Sequence, residues 1–319
     1  VLGLGLIGGS LARAAQHAGR LVWGATPSEA TAAAARADGF DADTDPGHAL
    51  ARAAEADALV ALAMPLPAVP AALARIAAAA PGCRLTDVVS VKGPVRDAVR
   101  AHAPAARFVG GHPMAGTAAS GWAAGSAILF AGTNWVVTLG DRADGATDRE
   151  VWDDVAELAW DCGARVVPAE ATEHDAAVAR ISHLPHLVAA VLAAVAAGDP
   201  NAVFAEPGAG ALALALAAGS FADGTRVADT RPELVLAMCE GNRSALLAAL
   251  DDTLGRLGAA RGSLASTGAL AATVNAGHQA RLRWHEARAA EGVRVPRTVS
   301  TQELRALGAA GRSLLGWAD

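Results

Sequence analysis

The first ten positions run apolar and small, Val1-Leu2-Gly3-Leu4-Gly5-Leu6-Ile7-Gly8-Gly9-Ser10. That pattern predicts a buried strand turning at once into a helix from about Ser10. Further apolar runs at 21–24, 58–64, 84–89, 107–110, 133–139 and 165–168 read as short strands. Segments at 31–38, 69–80 and 150–162 read as helices between them. Strands alternating with helices imply a mostly parallel sheet. Met64-Pro65-Leu66-Pro67 should stop its strand and form a loop, because proline cannot donate to a ladder. From Glu173 the pattern changes, and long alanine- and leucine-rich stretches cover 174–197, 209–219, 232–257 and 270–290. The chain therefore reads as an α/β domain over 1–169 and an all-helical domain over 170–319.

Composition narrows the classes. The 319 residues are 53% hydrophobic, enough for two domains with substantial cores. The formal charge is −6, from 26 basic and 32 acidic side chains, with no long basic tract to suggest a nucleic-acid partner. The apolar runs 187–197 and 209–218 are too short to span a bilayer, so no membrane partner is expected. Helices this apolar need extensive cover, which implies a homodimer with a shared core. Cys83, Cys162 and Cys239 form no metal-like spacing and read as buried or free thiols in a reducing cytoplasm. No targeting segment is visible, and a chain starting without methionine implies that residues precede Val1.

The opening turn carries the first candidate chemistry. Gly3, Gly5 and Gly8 make a G-x-G-x-x-G, where the first glycine permits a tight turn and the second lets backbone approach a pyrophosphate. The third allows close packing of the helix on its strand, and the helix start aims unpaired N–H groups at phosphates. A Rossmann-type nucleotide site follows, with Leu6, Ile7, Ala25, Thr26, Met64, Pro65 and Ser90 as its further candidate positions.

Three clusters and one segment could supply the reaction. In Thr86-Asp87-Val88-Val89-Ser90-Val91-Lys92-Gly93, Ser90 offers a hydroxyl and Lys92 a positive charge beyond a strand end, while Asp87 either caps a turn or joins the site. In Gly110-Gly111-His112-Pro113-Met114-Ala115-Gly116-Thr117, glycines and proline fix a loop around His112, the strongest acid/base candidate. The third cluster joins His174-Asp175 to Ser182-His183-Leu184-Pro185-His186, where Ser182 starts or caps a helix and the histidines three apart share a face. No diagnostic metal spacing is present, so no metal is expected. Between helical runs, Arg226 can grip a carboxylate with Asp223 orienting it.

Taken in order, GLGLIGGS at 3–10, TDVVSVKG at 86–93, GGHPMAG at 110–116, ISHLPH at 181–186 and FADGTR at 221–226 resemble the prephenate/arogenate dehydrogenase family of tyrosine biosynthesis. The resemblance is closest to its actinobacterial members, which share the alanine-rich style and an MCEGN-like segment at 238–242. It implies an NAD-dependent oxidative decarboxylation of prephenate to 4-hydroxyphenylpyruvate by a cytoplasmic homodimer acting on a small molecule. Arogenate as substrate and NADP as cofactor are the alternatives. The resemblance also implies that His112 and Ser90 contact the ring hydroxyl, His112 in catalysis. Lys92, Thr117, Ser182, His183, His186 and Arg226 would bind substrate, with Asp175 and Asp223 in support.

Two positions depart from the family's pattern. Residues 22–28 offer no carboxylate for an adenosine ribose before Glu29, and no adjacent arginine for a ribose phosphate. Ala118 stands where many relatives carry glutamate. Two competing readings are a 3-hydroxyacid or 6-phosphogluconate type of dehydrogenase, and a non-catalytic dinucleotide sensor. The SVKG, GGHPMAG and SHLPH combination argues against the first.

Overall fold

The computed structural model describes residues 1–117, 119–140, 146–198, 209–266 and 270–318. The chain divides into two compact units, Val1–Asp175 with Gly268–Asp319, and Ala176–Thr267.

Leu2 bridges both Ala25 and Leu62 in parallel, so the opening residues sit at the centre of the first sheet. On one side lie Trp23–Ala25 and then Asp41–Asp43; on the other lie Val60–Leu62, Arg84–Asp87 and Arg107–Phe108, all parallel. Counted along the chain with the Leu2 strand first, the order is 3-2-1-4-5-6, the doubly wound arrangement that places ligands beyond the strand ends where the order reverses. The switch point lies beside Leu2, so the glycine turn after it occupies the ligand-binding edge. Leu50, Leu62, Leu73, Ile76 and Leu85 are fully buried between this sheet and its helices.

A second sheet, five-stranded, follows the order Gly111–Pro113, Asn134–Leu139, Arg165–Glu170, Leu314–Trp317, Val293–Val295. Its core gathers Leu11, Trp135, Trp152, Leu304 and Leu314. Two expectations change here. His112 lies in a short strand antiparallel to Asn134–Leu139, opposite Val136, rather than in a loop. The chain end does not belong to a helical second domain: Val293–Val295 and Leu314–Trp317 complete the first unit's sheet, and helix Thr301–Ala309 packs over its core through buried Leu304. Burial explains the return. Val166 and Leu314, paired across strands, are both fully enclosed, and Trp160 Nε1 donates to the Leu314 carbonyl at 2.9 Å.

The second unit is helical: Leu184–Ala197, Ala209–Ala215, Gly219–Thr225, Pro232–Gly241 and Arg243–Ser266. The apolar run 187–197 is the end of a longer helix, Ala171–Ala197, of 27 residues. By length and mean hydropathy alone that helix is long and apolar enough to cross a membrane, although 187–197 by itself is not. Its first half carries Glu173, His174, Asp175 and Arg180, and it widens into a π turn over Ala179–His183. Such turns occur frequently at functional sites.

Candidate active site

The glycine turn divides into two steric requirements and one opening. Gly3 adopts φ +100°, and a Cβ there would lie 2.3 Å from the Ala63 carbonyl oxygen. A Cβ on Gly8 would lie 1.9 Å from the Gly3 carbonyl oxygen, so strand and helix can approach only without it. Over Gly5 nothing lies within 4 Å of that position. Helix Leu6–His17 begins there with no side-chain cap, leaving its first amides to a ligand or water. An uncapped helix start beside open space fits a pyrophosphate. Leu6 and Ile7 are half-buried in the first helical turn, Ala25 and Thr26 are buried at the end of their strand, and Met64 and Pro65 follow Val60–Leu62 half-buried and exposed. Glu29, the first carboxylate past the second strand, pairs with Arg36 of its own helix at 2.5 Å.

Below this edge lies a buried polar network. Lys92 is 1% exposed; its ammonium pairs with Asp87 and donates to the Gly111 carbonyl at 2.6 Å. Asp87 also accepts from the Val89 and Gly111 amides at 3.0 and 3.1 Å. Burial pushes Asp87 up and Lys92 down from their ordinary values, and each partner's charge offsets part of that penalty. Lys92 is therefore not a substrate ligand as expected: its charge is consumed in holding the strand that carries His112. Asp87 is the turn cap.

His112 itself is half-buried, with Nδ1 2.8 Å from His174 Nε2. His174 Nδ1 lies 2.8 Å from Asp175 Oδ1, and the two rings meet edge to face at 5.0 Å between centroids. Asp175 in turn accepts from the Lys92 and Gly93 amides, both at 2.8 Å, at the start of helix Gly93–His102. Burial pushes the Asp175 carboxyl up, but the His174 bond and the two amides outweigh it and hold the group below its ordinary value. His174 is pushed down, chiefly by burial. Its role escapes the sequence reading, which notes His174-Asp175 without giving the histidine a function. The available signal is two adjacent ionisable residues near the start of a long apolar helix. Ser90 is half-buried two residues before Lys92, and Thr117 is exposed, its hydroxyl accepting from the Ala119 amide at 3.2 Å. Ala118 lies outside the described residues.

In the second unit, Ser182 falls inside the π turn, not at a helix cap, and its hydroxyl points to Met238 Sδ at 3.9 Å. Pro185 does occupy the first turn of Leu184–Ala197. The two histidines take different neighbours rather than one common partner. His183 is 1% exposed with Nδ1 3.2 Å from Asn242 Nδ2, while half-buried His186 places Nδ1 3.1 Å from the Val227 carbonyl. His186 is pushed down by burial and then by Arg226, with the Val227 carbonyl opposing. Arg226 is thus close to His186 and exposed at the start of the Arg226–Asp229 turn. Asp223 is exposed in helix Gly219–Thr225, and among the described residues it forms no ion pair with Arg226, contrary to expectation.

The family model of the prephenate dehydrogenase nucleotide-binding domain matches residues 11–168, and that of the prephenate dehydrogenase dimerization domain matches 170–268. A structure from Corynebacterium glutamicum, provisionally assigned as a prephenate dehydrogenase, is 42% identical, with 99% of this chain and 98% of that chain covered and a TM-score of 0.88. This chain belongs to the prephenate dehydrogenase family. The prephenate dehydrogenase of Bacillus subtilis is 32% identical over 263 residues, which span 78% of this chain and 65% of that enzyme. The Synechocystis arogenate dehydrogenase structure is 28% identical, with 89% of this chain and 98% of that chain covered and a TM-score of 0.74. The family thus joins a nucleotide-binding domain to a dimerization domain, and its members named here act on either of two closely related compounds.

Proposed function

We propose that this protein is a cytoplasmic, homodimeric prephenate dehydrogenase that oxidatively decarboxylates prephenate to 4-hydroxyphenylpyruvate. The reading rests on one observation above all: in a chain of this family, His112 is held by His174 and Asp175 in the nucleotide-binding unit. Gly3, Gly5 and Gly8, with Leu6, Ile7, Ala25, Thr26, Met64, Pro65 and Ser90, form the cofactor edge. NAD is the cofactor we favour on the family resemblance. NADP stays as the second choice, because residues 22–28 hold no carboxylate for an adenosine ribose and Glu29, the first after them, is engaged by Arg36.

A nicotinamide held at the glycine edge would supply the acceptor for the hydride of the hydroxyl-bearing ring carbon. His112 accepts the hydroxyl proton, Ser90 shares the contact, and the oxygen becomes a carbonyl. Loss of the ring carboxylate as carbon dioxide then yields the aromatic ring. Arg226 supplies a guanidinium suited to a substrate carboxylate, and His186, whose Nδ1 hydrogen is taken by the Val227 carbonyl, would donate to a carboxylate from Nε2 only as an imidazolium. Ser182, His183 and Thr117 contribute substrate contacts or hold those that do. Alignment of the transferring hydride and proton removal together account for the rate gain.

Arogenate is the second reading, favoured by the likeness to the Synechocystis enzyme. Purified protein with each of prephenate and arogenate, and each of NAD and NADP, separates these readings by the absorbance of reduced nicotinamide. Turnover is expected to be fastest with prephenate and NAD. Faster turnover with arogenate would move the assignment to the second reading, and dinucleotide binding without turnover in all four combinations would leave only a sensor.

A further inference from the structure

We propose that His174 and Asp175 are positioning residues that hold His112 with its hydrogen on Nδ1, so that Nε2 is the atom that takes the substrate's proton. This inference rests on the reading of His112 as proton acceptor.

The direction of each hydrogen bond follows from Asp175. Backbone N–H groups only donate, and the amides of Lys92 and Gly93 engage Oδ1 and Oδ2 at 2.8 Å each. The group is therefore an ionised acceptor at both oxygens, and His174 Nδ1, 2.8 Å from Oδ1, must donate. His174 is 3% exposed, and burial holds it in the neutral form. The charged groups facing it are Asp175, Lys92 and Asp87, and the last two offset each other as an ion pair. A neutral imidazole that donates from Nδ1 keeps a lone pair on Nε2. His112 Nδ1 lies 2.8 Å from that lone pair and must carry the hydrogen. Neutral His112 then has one basic atom left, Nε2.

The same chain prepares the charged state. As the substrate's O–H bond breaks, the proton forms an N–H bond at His112 Nε2, and the O–H electron pair becomes the second bond of the carbonyl. The hydride would leave the ring carbon for a nicotinamide, the two-electron acceptor of the proposed reaction. His112 is now an imidazolium, and its Nδ1–H bond to His174 strengthens with Asp175 behind it. The pair thus orients the ring and stabilises its protonated form without touching substrate.

The test uses the full-length protein with ¹⁵N-labelled histidine and long-range ¹H–¹⁵N correlation spectra, with the His112 signals identified by their loss in His112→Gln. The wild-type His112 ring should show the Nδ1–H form. His174→Leu removes the acceptor and should release that form, whereas His174→Gln, whose amide oxygen still accepts, should retain it. In parallel, His174→Leu should lower kcat about 10–100-fold, with KM and dinucleotide Kd little changed and the acid limb of the kcat–pH profile displaced. His174→Gln should recover much of the loss. Hydrogen on Nε2 of wild-type His112, or a tautomer and pH profile unmoved in His174→Leu, would overturn the proposal. If His174→Leu fails to fold, the wild-type and His174→Gln spectra decide. Because the spectra need no turnover, a protein inactive on both cyclohexadienes would overturn the functional reading and leave the tautomer result intact.

Discussion

At the scale of single residues, charge in the sequence separates into groups that face solvent and groups that hold the fold. Lys92 belongs to the second kind. Its replacement by methionine leaves the Asp87 carboxyl enclosed with two amides and no cation, so it must stay charged without a partner or take up a proton. Breaking such a pair costs about 3–5 kcal/mol, so the urea midpoint of Lys92→Met should fall sharply, and adding Asp87→Asn should recover part of it. A substrate-binding lysine would instead weaken saturation at unchanged stability. The acid side of the stability profile follows from His174 and Asp175. Both have folded-state pKa values below their ordinary 6.5 and 3.8, so the unfolded chain takes up protons first as pH falls. Their contribution is complete above pH 6.5 and is lost downward, His174 first and Asp175 below 3.8. Urea midpoints measured from pH 8 to pH 4 should decline below about 6.5, and His174→Gln should flatten the upper part of that decline. His112 was legible because a histidine between glycines and proline is an unusual expense of rigid backbone. Lys92 was misread because a sequence shows a charge but not its burial.

At the scale of elements, the glycine motif was the most readable feature, since its spacing encodes a steric fact. The three glycines nevertheless do different work, which gives a sharp comparison. Gly8→Ala forces a Cβ against the Gly3 carbonyl and should destabilise the first unit by about 1–3 kcal/mol. Gly5→Ala meets nothing and lies at φ −78°, so its cost should stay under about 1 kcal/mol. Its effect should appear instead as a dinucleotide Kd raised about tenfold, the equivalent of about 1.4 kcal/mol. Denaturation curves and dinucleotide titrations on both variants separate the two roles, and equal stability losses would refute the division. The terminal strands were not legible. Val293-Arg294-Val295 is three residues long, and Leu314-Leu315-Gly316-Trp317 contains a glycine, so neither carries a period long enough to distinguish it from the helical stretches before it. Their place is set by long-range pairing, Leu314–Trp317 with Arg165–Glu170 and Val293–Val295 in turn with Leu314–Trp317, which no local pattern reveals.

At the scale of the whole molecule, the outstanding physical problem is apolar surface. In helix Arg243–Ser266, Leu247, Leu254, Leu257 and Leu264 are all at least half exposed, and Leu250 is half-buried. Positions 247, 250, 254, 257 and 264 alternate by three and four residues with one gap at Arg261, the spacing of a seam between helices. Val191, Leu192 and Val195 add exposed apolar side chains on the helix whose length and hydropathy alone would suit a membrane. An exposed apolar seam of this kind is unfavourable in water, and a second copy of the family's dimerization domain is the cover we favour. A lipid surface would prefer apolar side chains around the whole helix, whereas Asp251, Asp252 and Arg256 interrupt this one on its other sides. If two copies meet along the seam, Leu254→Asp with Leu257→Asp places four carboxylates in its centre. Light scattering should then show the wild-type dimer replaced by a monomer or by aggregates, with a lowered Tm. A double variant that keeps both the dimer mass and the wild-type Tm would mean that this seam faces something other than its own copy.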